Sequence, residues 1–186
     1  GRIVNNTIAG GAVGIQVDDF AAPTLLNNVL ANLATGISVD ASSSTTVVGG
    51  TVYQSVATRT SGTTDGTFPI ILATTDPLFL NSAADNYYLA PGSLAIDSSV
   101  STLQDRSTMI AVRGPLDISP SPILAPSRDA FGQLRVDDPG VNTPPGMGSN
   151  VFKDRGALDR ADFNGPTAVM VVPGDNDPQG RDSDTR

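Results

Sequence analysis

Apolar and polar positions recur along the first third of the chain at a fixed interval. Ile3-Val4-Asn5-Asn6-Thr7-Ile8 returns as Leu25-Leu26-Asn27-Asn28-Val29-Leu30, and in degraded form as Val47-Val48-Gly49-Gly50-Thr51-Val52, at a step of 22 residues each time. Between these runs, Gly14-Ile15-Gln16-Val17-Asp18 reappears at the same step as Gly36-Ile37-Ser38-Val39-Asp40. Each unit carries two short β-prone runs divided by turn residues, a pattern no helical period accommodates. One such unit cannot bury its own apolar face; units stacked about 4.8 Å apart bury it jointly. The pattern predicts parallel strands stacked in coils, with Ile3, Leu25 and Val47 in one interior column and Ile15 and Ile37 in another.

Residues 1–22, 23–44 and 45–58 are then three coils, followed by a polar surface loop from Arg59 to Thr67 and a further strand within Phe68 to Leu72. Asn5 stacks over Asn27 and Asn6 over Asn28, a structural ladder, because an amide can bond the copy above and the copy below. Gly49 and Gly50 end it. In an aromatic-poor chain, Phe79, Tyr87, Tyr88 and Leu89 cluster between Asp76 and Asp97, where they are expected to cap the open floor of the stack. Seven prolines between Ser98 and Asn150 forbid long regular elements there. Short strands are expected at Met109 to Val112 and Gln133 to Val136, and a helical turn within Ser101 to Ser107.

These residues carry a family resemblance. Asn-Asn-Thr-Ile and Gly-Ile-x-Val at 22-residue spacing resemble the coils of right-handed parallel β-helix proteins, such as pectate-lyase-like enzymes and bacterial surface adhesins. Asp76-Pro77-Leu78-Phe79-Leu80 and the run from Tyr88 to Asp97 resemble the segment that ends such helices in large secreted bacterial proteins. Asp129 to Arg135 and Asp154 to Asp159 match the rest of that ending, although the family more often closes on Gly-Ala-aromatic-Glu. The resemblance implies an all-β, right-handed parallel β-helix of about three 22-residue coils plus one or two irregular ones, with a loop-rich capping module. The expected organisation is coils over 1–75, ending and capping module over 76–162, and an extending strand with acidic linker over 163–186. In the capping module Asp97, Arg135, Asp154 and Arg155 are expected to join loops through ion pairs or hydrogen bonds. The resemblance implies an architecture rather than an activity.

Composition narrows the chemistry. The net charge is −8, and all 19 acidic residues are Asp. That bias disfavours helices and suits turns, caps and oxygen-ligand sites, and so acidic a chain without a basic cluster repels nucleic acid. With no Cys and no His, disulfides, thiolate sites and imidazole-based triads are excluded. No run of 18 apolar residues occurs to span a membrane as a helix. The expected setting is secreted or cell-surface, and the chain reads as a piece of something longer.

Calcium is the one cofactor these residue types suggest. Asp175, Asp177, Asp182 and Asp184 alternate in a Gly-containing tail, but the tail lacks a closing Glu and contains Pro178, which favours an acidic linker. Asp18 and Asp40, one coil apart, form a less complete seat that reads first as a solvated loop column. Paired carboxylates suffice for glycoside hydrolysis, yet on these coils the acids lack a neighbouring base other than Arg2. The favoured reading is a non-catalytic structural or adhesive segment of a bacterial surface assembly. The alternative is a carbohydrate-active or carbohydrate-binding β-helix whose groove lies on other coils. Expected partners are further coils of the same polypeptide or neighbouring subunits, and a glycan under the alternative. The lone apolar strand Thr167 to Pro173 is expected to pair outside residues 1–162.

Overall fold

The computed structural model describes residues 1–100, 103, 111–117, 125–138, 140–141 and 153–160. The calcium-loop candidates Asp175, Asp177, Asp182 and Asp184, the strand Thr167 to Pro173 and most of the helical turn at Ser101 to Ser107 lie outside the described residues.

The chain is an all-β parallel solenoid of about three turns. Strands β1 (Arg2–Val4), β3 (Thr24–Leu26) and β5 (Val47–Gly49) form one parallel sheet. Strands β2 (Thr7–Val17), β4 (Val29–Val39), β6 (Val52–Ser61) and β7 (Ile70–Leu72) form the other, in chain order. Ile3 pairs with Leu25 and Ile15 with Ile37, as the repeat predicts.

The third coil departs from the predicted register. Leu25 pairs with Val48 and Val29 with Val52, a step of 23 residues, so Val48 rather than Val47 completes the column of Ile3 and Leu25. The added residue sits in the turn after β4, where Asp40 caps a 3-10 turn over Ala41–Ser43. Six residues link β2 to β3, and seven link β4 to β5. The corner amides therefore pass to Gly50 and Thr51, not to Gly49 and Gly50. The reason is conformational: Asn5, Asn27 and Gly50 all take left-handed backbone, at φ of 53, 55 and 61°, which Gly and Asn tolerate best.

A second left-handed column, Gly10, Asn32 and Ser55, bends the long strands at matching positions. It lets one continuous strand turn a corner. The expected loop at Arg59 to Thr67 begins late: β6 runs to Ser61, with Thr60 paired to Ile37. Only after Ser61 does the chain turn, bringing Thr67 beside Gly49 and β7 beside Val52 to Gln54.

The interior is apolar. Ile15, Val17, Leu25, Leu30, Leu33, Ile37, Val39, Val48 and Tyr53 form the buried core, with Ile3, Ile8 and Val56 packed at its ends. A fully buried Leu or Ile contributes about 1.5–3 kcal/mol, and most of the solenoid's cohesion comes from these columns.

Beyond Leu72 the chain runs along the outside of the stack. Strands β8 (Phe79–Asn81) and β9 (Asn86–Leu89) make a small antiparallel pair. Leu78, Leu89, Ala95 and Ile96 then pack against Val29, Ala31, Val52 and Leu72, which face outward from the coils. Leu26 and Val100 form a third apolar contact on the same flank. Residues 78–100 thus cover a side of the coils, where the sequence suggested a cap across the floor. Farther on, Ala111–Arg113 is helical rather than extended. Of the expected strand at Gln133 to Val136, only Leu134 pairs, in a single antiparallel bridge with Arg128.

Candidate functional site

A dense set of hydrogen bonds forms the seam where residues 153–160 cross the coil corners. It begins with the left-handed corner column. Because Asn27 turns the chain there, its side chain projects outward along the flank, where its Oδ1 accepts from the Val100 amide at 2.8 Å and its Nδ2 donates to the Val100 carbonyl at 2.9 Å. One side-chain amide so completes a two-point backbone pairing. Asn5, one coil above, donates to the Asp154 carbonyl at 2.9 Å. The Asn27 and Asn5 amides meet at 3.4 Å, while Asn28 Oδ1 accepts from both the backbone and side chain of Asn6. The amides form the expected ladder, and the Asn5–Asn27 half of it also ties down the C-terminal module.

Gly156 makes the closest approach. Its amide donates to the Asn27 carbonyl at 2.9 Å, and a Cβ at this position would lie 2.7 Å from Thr7 Oγ1 and 2.9 Å from Val29 Cγ2. Its φ of +94° is also unfavourable for a side chain. Beside it the Ala157 amide donates to Thr7 Oγ1. Arg155, fully buried, donates through Nε to the Ser98 carbonyl and through Nη1 to the Phe68 carbonyl, both at 2.8 Å. Residues 154–157 therefore contact coil one at Asn5 and Thr7, coil two at Asn27, and the start of the fourth turn at Phe68.

The acids and bases of this module are organised by burial. Arg135 donates to the backbone carbonyls of Asp154, Gly156 and Ala157, and its ion pair is with Asp159 at 3.4 Å. Asp154 and Asp97 act through the backbone instead. Asp154 accepts from the amides of Asp97 and Arg160, and Asp97 Oδ2 accepts from the Asp138 amide. Asp97 Oδ1 is buried without a hydrogen-bond partner among the described residues. Burial, then neighbouring acids, pushes the Asp97 carboxyl up to about 7. The Asp154 carboxyl is pushed up to about 8, by burial first and then by Asp159. Burial lowers the Arg155 guanidinium to about 9. Of the residues expected to tie the loops, Asp97, Arg135, Asp154 and Arg155 come together, and Asp159 joins them. Asp159 ends the Asp154 to Asp159 run, and that spacing is the sequence signal for its place at the same closing turn.

The other candidates lie elsewhere. Asp40 accepts from the Ser43 amide and the Ser42 hydroxyl at 2.8 Å, and from the Asp19 amide at 3.3 Å. The Ser43 and Ser42 bonds hold its carboxyl below the ordinary value. Asp18 lies one coil above, in a turn closed by the Asp18 carbonyl accepting from the Ala21 amide. Among the described residues no group of three or more Asp residues is gathered as a metal site. Phe79 packs edge-on against Tyr87 with ring centres 5.3 Å apart, and Tyr88 lies 6.2 Å from Phe131. Tyr87 borders a groove of about 310 Å³ with Thr7, Ala9, Ala157 and Leu158. A second groove, about 350 Å³, lies under β6 and is lined by Tyr53, Ser55, Val56, Ala57, Arg59, Ile71 and Leu72. There Arg59 pairs with Asp65 at 2.9 Å.

No family model, curated protein or solved structure matches this chain.

Proposed function

We propose that this chain is a structural segment of a secreted or cell-surface assembly, a stiff parallel coil stack whose outward polar groups serve cohesion. The observation that carries this reading is the seam: Asn5, Thr7 and Asn27 lie on the coil corners and all three are engaged by residues 100 and 154–157. A corner used in this way fastens successive coils to a common strap, which suits a part that transmits force along the stack. The extracellular bacterial setting and the adhesive role rest on the resemblance of the repeat and its ending to parallel β-helix surface proteins. Further coils, or neighbouring subunits, are the partners of such a segment.

One observation favours a second reading, carbohydrate binding or processing of the polysaccharide lyase or hydrolase kind. The groove beside Tyr87 sets an aromatic ring, backed by Phe79, next to the Thr7 hydroxyl, a combination suited to the face and edge of a sugar. A glycan array and a cleavage assay on acidic polysaccharides separate the two. The structural reading expects no hit that Tyr87→Ala abolishes; such a hit, or cleavage, would replace it with the second. Calcium at Asp175 to Asp184, or at Asp18 and Asp40, is tested by calorimetry. Heat on titration and a chelator-sensitive melting temperature would establish it.

A further inference from the structure

We propose that the solenoid has a built polarity: the edge of its first coil accepts one more parallel coil, and the edge of β6 is finished against one. The proposal rests on the structural reading above and adds what the partner must look like.

The first coil supplies half of the argument. Strands β1 and β2 are the outer strands of their sheets and pair on one side only among the described residues. The interior columns run out at this edge. Leu25 and Leu30 are fully buried, whereas Ile3 and Ile8 above them are only partly covered. The open face continues the same columns that the first two coils already pair, so its natural occupant is a coil with apolar residues over Ile3 and Ile8.

A column that starts with two glycines and ends in arginine supplies the rest. Gly14, Gly36 and Arg59 occupy equivalent positions in successive coils, between the paired residues Val13, Thr35 and Thr58 and the paired residues Ile15, Ile37 and Thr60. A Cβ on Gly14 would lie 2.7 Å from the Gly36 carbonyl oxygen, and one on Gly36 would lie 2.6 Å from the Arg59 carbonyl oxygen. Each coil thus puts a carbonyl where its predecessor's side chain would be, and glycine is required wherever another coil follows. The third member is Arg59. Its Cβ occupies the space a fourth carbonyl would need, so a coil in the same register cannot stack beneath β6. The Arg59–Asp65 pair adds charge to that edge, and β7 covers only Val52 to Gln54 before the chain leaves the stack. The same rule applied upward specifies the partner. The residue over Gly14 faces the Gly14 carbonyl and must itself be glycine. A second copy presenting its β6 edge does not meet this requirement, because Arg59 would stand over Gly14.

The test is to fuse a second copy of residues 1–22 directly ahead of Gly1 in the full chain, which places the added copy's own glycine over Gly14. A matched fusion carries Gly14→Val in the added copy only. Hydrogen exchange of the original β2 amides and thermal melting are the readouts, with the Leu30 amide reporting that the host stack is intact. The glycine fusion should slow exchange of the Thr7 to Val17 amides about tenfold or more and raise the melting temperature by about 4 °C or more. The valine fusion should do neither. Equal effects from both fusions, no effect from either, or loss of Leu30 protection on adding the glycine copy would overturn the proposal. So would β2 amides that are already protected in the unmodified chain and become exposed on deleting residues 167–186, or a dimer that buries this edge. A sugar hit on the array would overturn the structural reading without altering β2 exchange, so the two failures are distinguishable.

Discussion

Val29 and Leu30 are neighbours on β4, both fully buried, yet they belong to different structures. Leu30 faces inward to a column repeated from coil to coil, with Ile8 above and Tyr53 below. Val29 faces outward to Leu78, Leu89, Ala95 and Ile96, residues 49–67 positions later in the chain that have no repeat relation to it. The inner face is held by apolar burial of like on like. The outer face combines apolar burial with a polar seam in which backbone groups are met by Asn5, Thr7 and Asn27 and by the buried Arg135 and Arg155. The inner face repeats one kind of contact from coil to coil, whereas the seam is made of single contacts that do not repeat.

That contrast can be broken first at the interior. Leu30→Ala removes a fully buried side chain from the middle coil and should cost about 3 kcal/mol, measured by chemical denaturation. Gly156→Ala should come next, at about 2–3 kcal/mol, because the added methyl meets Thr7 and Val29 and the left-handed backbone disfavours it. If the seam were ornamental, this substitution on the distal strap would leave the midpoint unchanged. Asn5→Gly keeps the left-handed corner and deletes the bond to the Asp154 carbonyl, for an expected loss of about 1 kcal/mol.

A pH series sharpens the comparison because the buried carboxyls of the seam are raised, Asp97 and Asp154 most clearly. Asp97 and Asp154 titrate near 7 and near 8 when folded, against 3.8 when free. The folded state therefore holds protons that the unfolded state has released. Their contribution to stability is fully present below about pH 4 and is lost as pH rises through 7 to 8. The melting temperature should fall across that window, and Asp154→Asn should flatten the fall. A profile that rises from pH 5 to 8 would mean these acids are charged in the folded protein.

The inner face was legible because stacking imposes its period on the sequence: Ile3 over Leu25 and Gly14 over Gly36 are visible as text. The slip at the third coil was not, since Val47-Val48 offers two adjacent valines and only the extra turn residue between β4 and β5 decides which one faces inward. The corner at Gly10, Asn32 and Ser55 went unread because its three residue types share a backbone conformation and nothing else. Asn5 and Asn27 were recognised as a ladder, but their bonds to Asp154 and Val100 span 149 and 73 residues. No local pattern encodes contacts of that kind. The Asp-Arg-Gly-Ala-Leu-Asp run announced a closing motif without saying that it closes on the side of the coils.

The central claim, that the corner amides fasten the stack to its strap, is tested most directly by amide exchange in Asn27→Gly. Glycine keeps the left-handed turn, as Gly50 does one coil below, and removes the side chain that clamps Val100 and meets Asn5. The account predicts that the Val100 amide, whose acceptor is Asn27 Oδ1, exchanges at least about tenfold faster, while the Ile37 amide in β4 changes far less. Unchanged protection of Val100, or an equal loss at Val100 and Ile37, would contradict it.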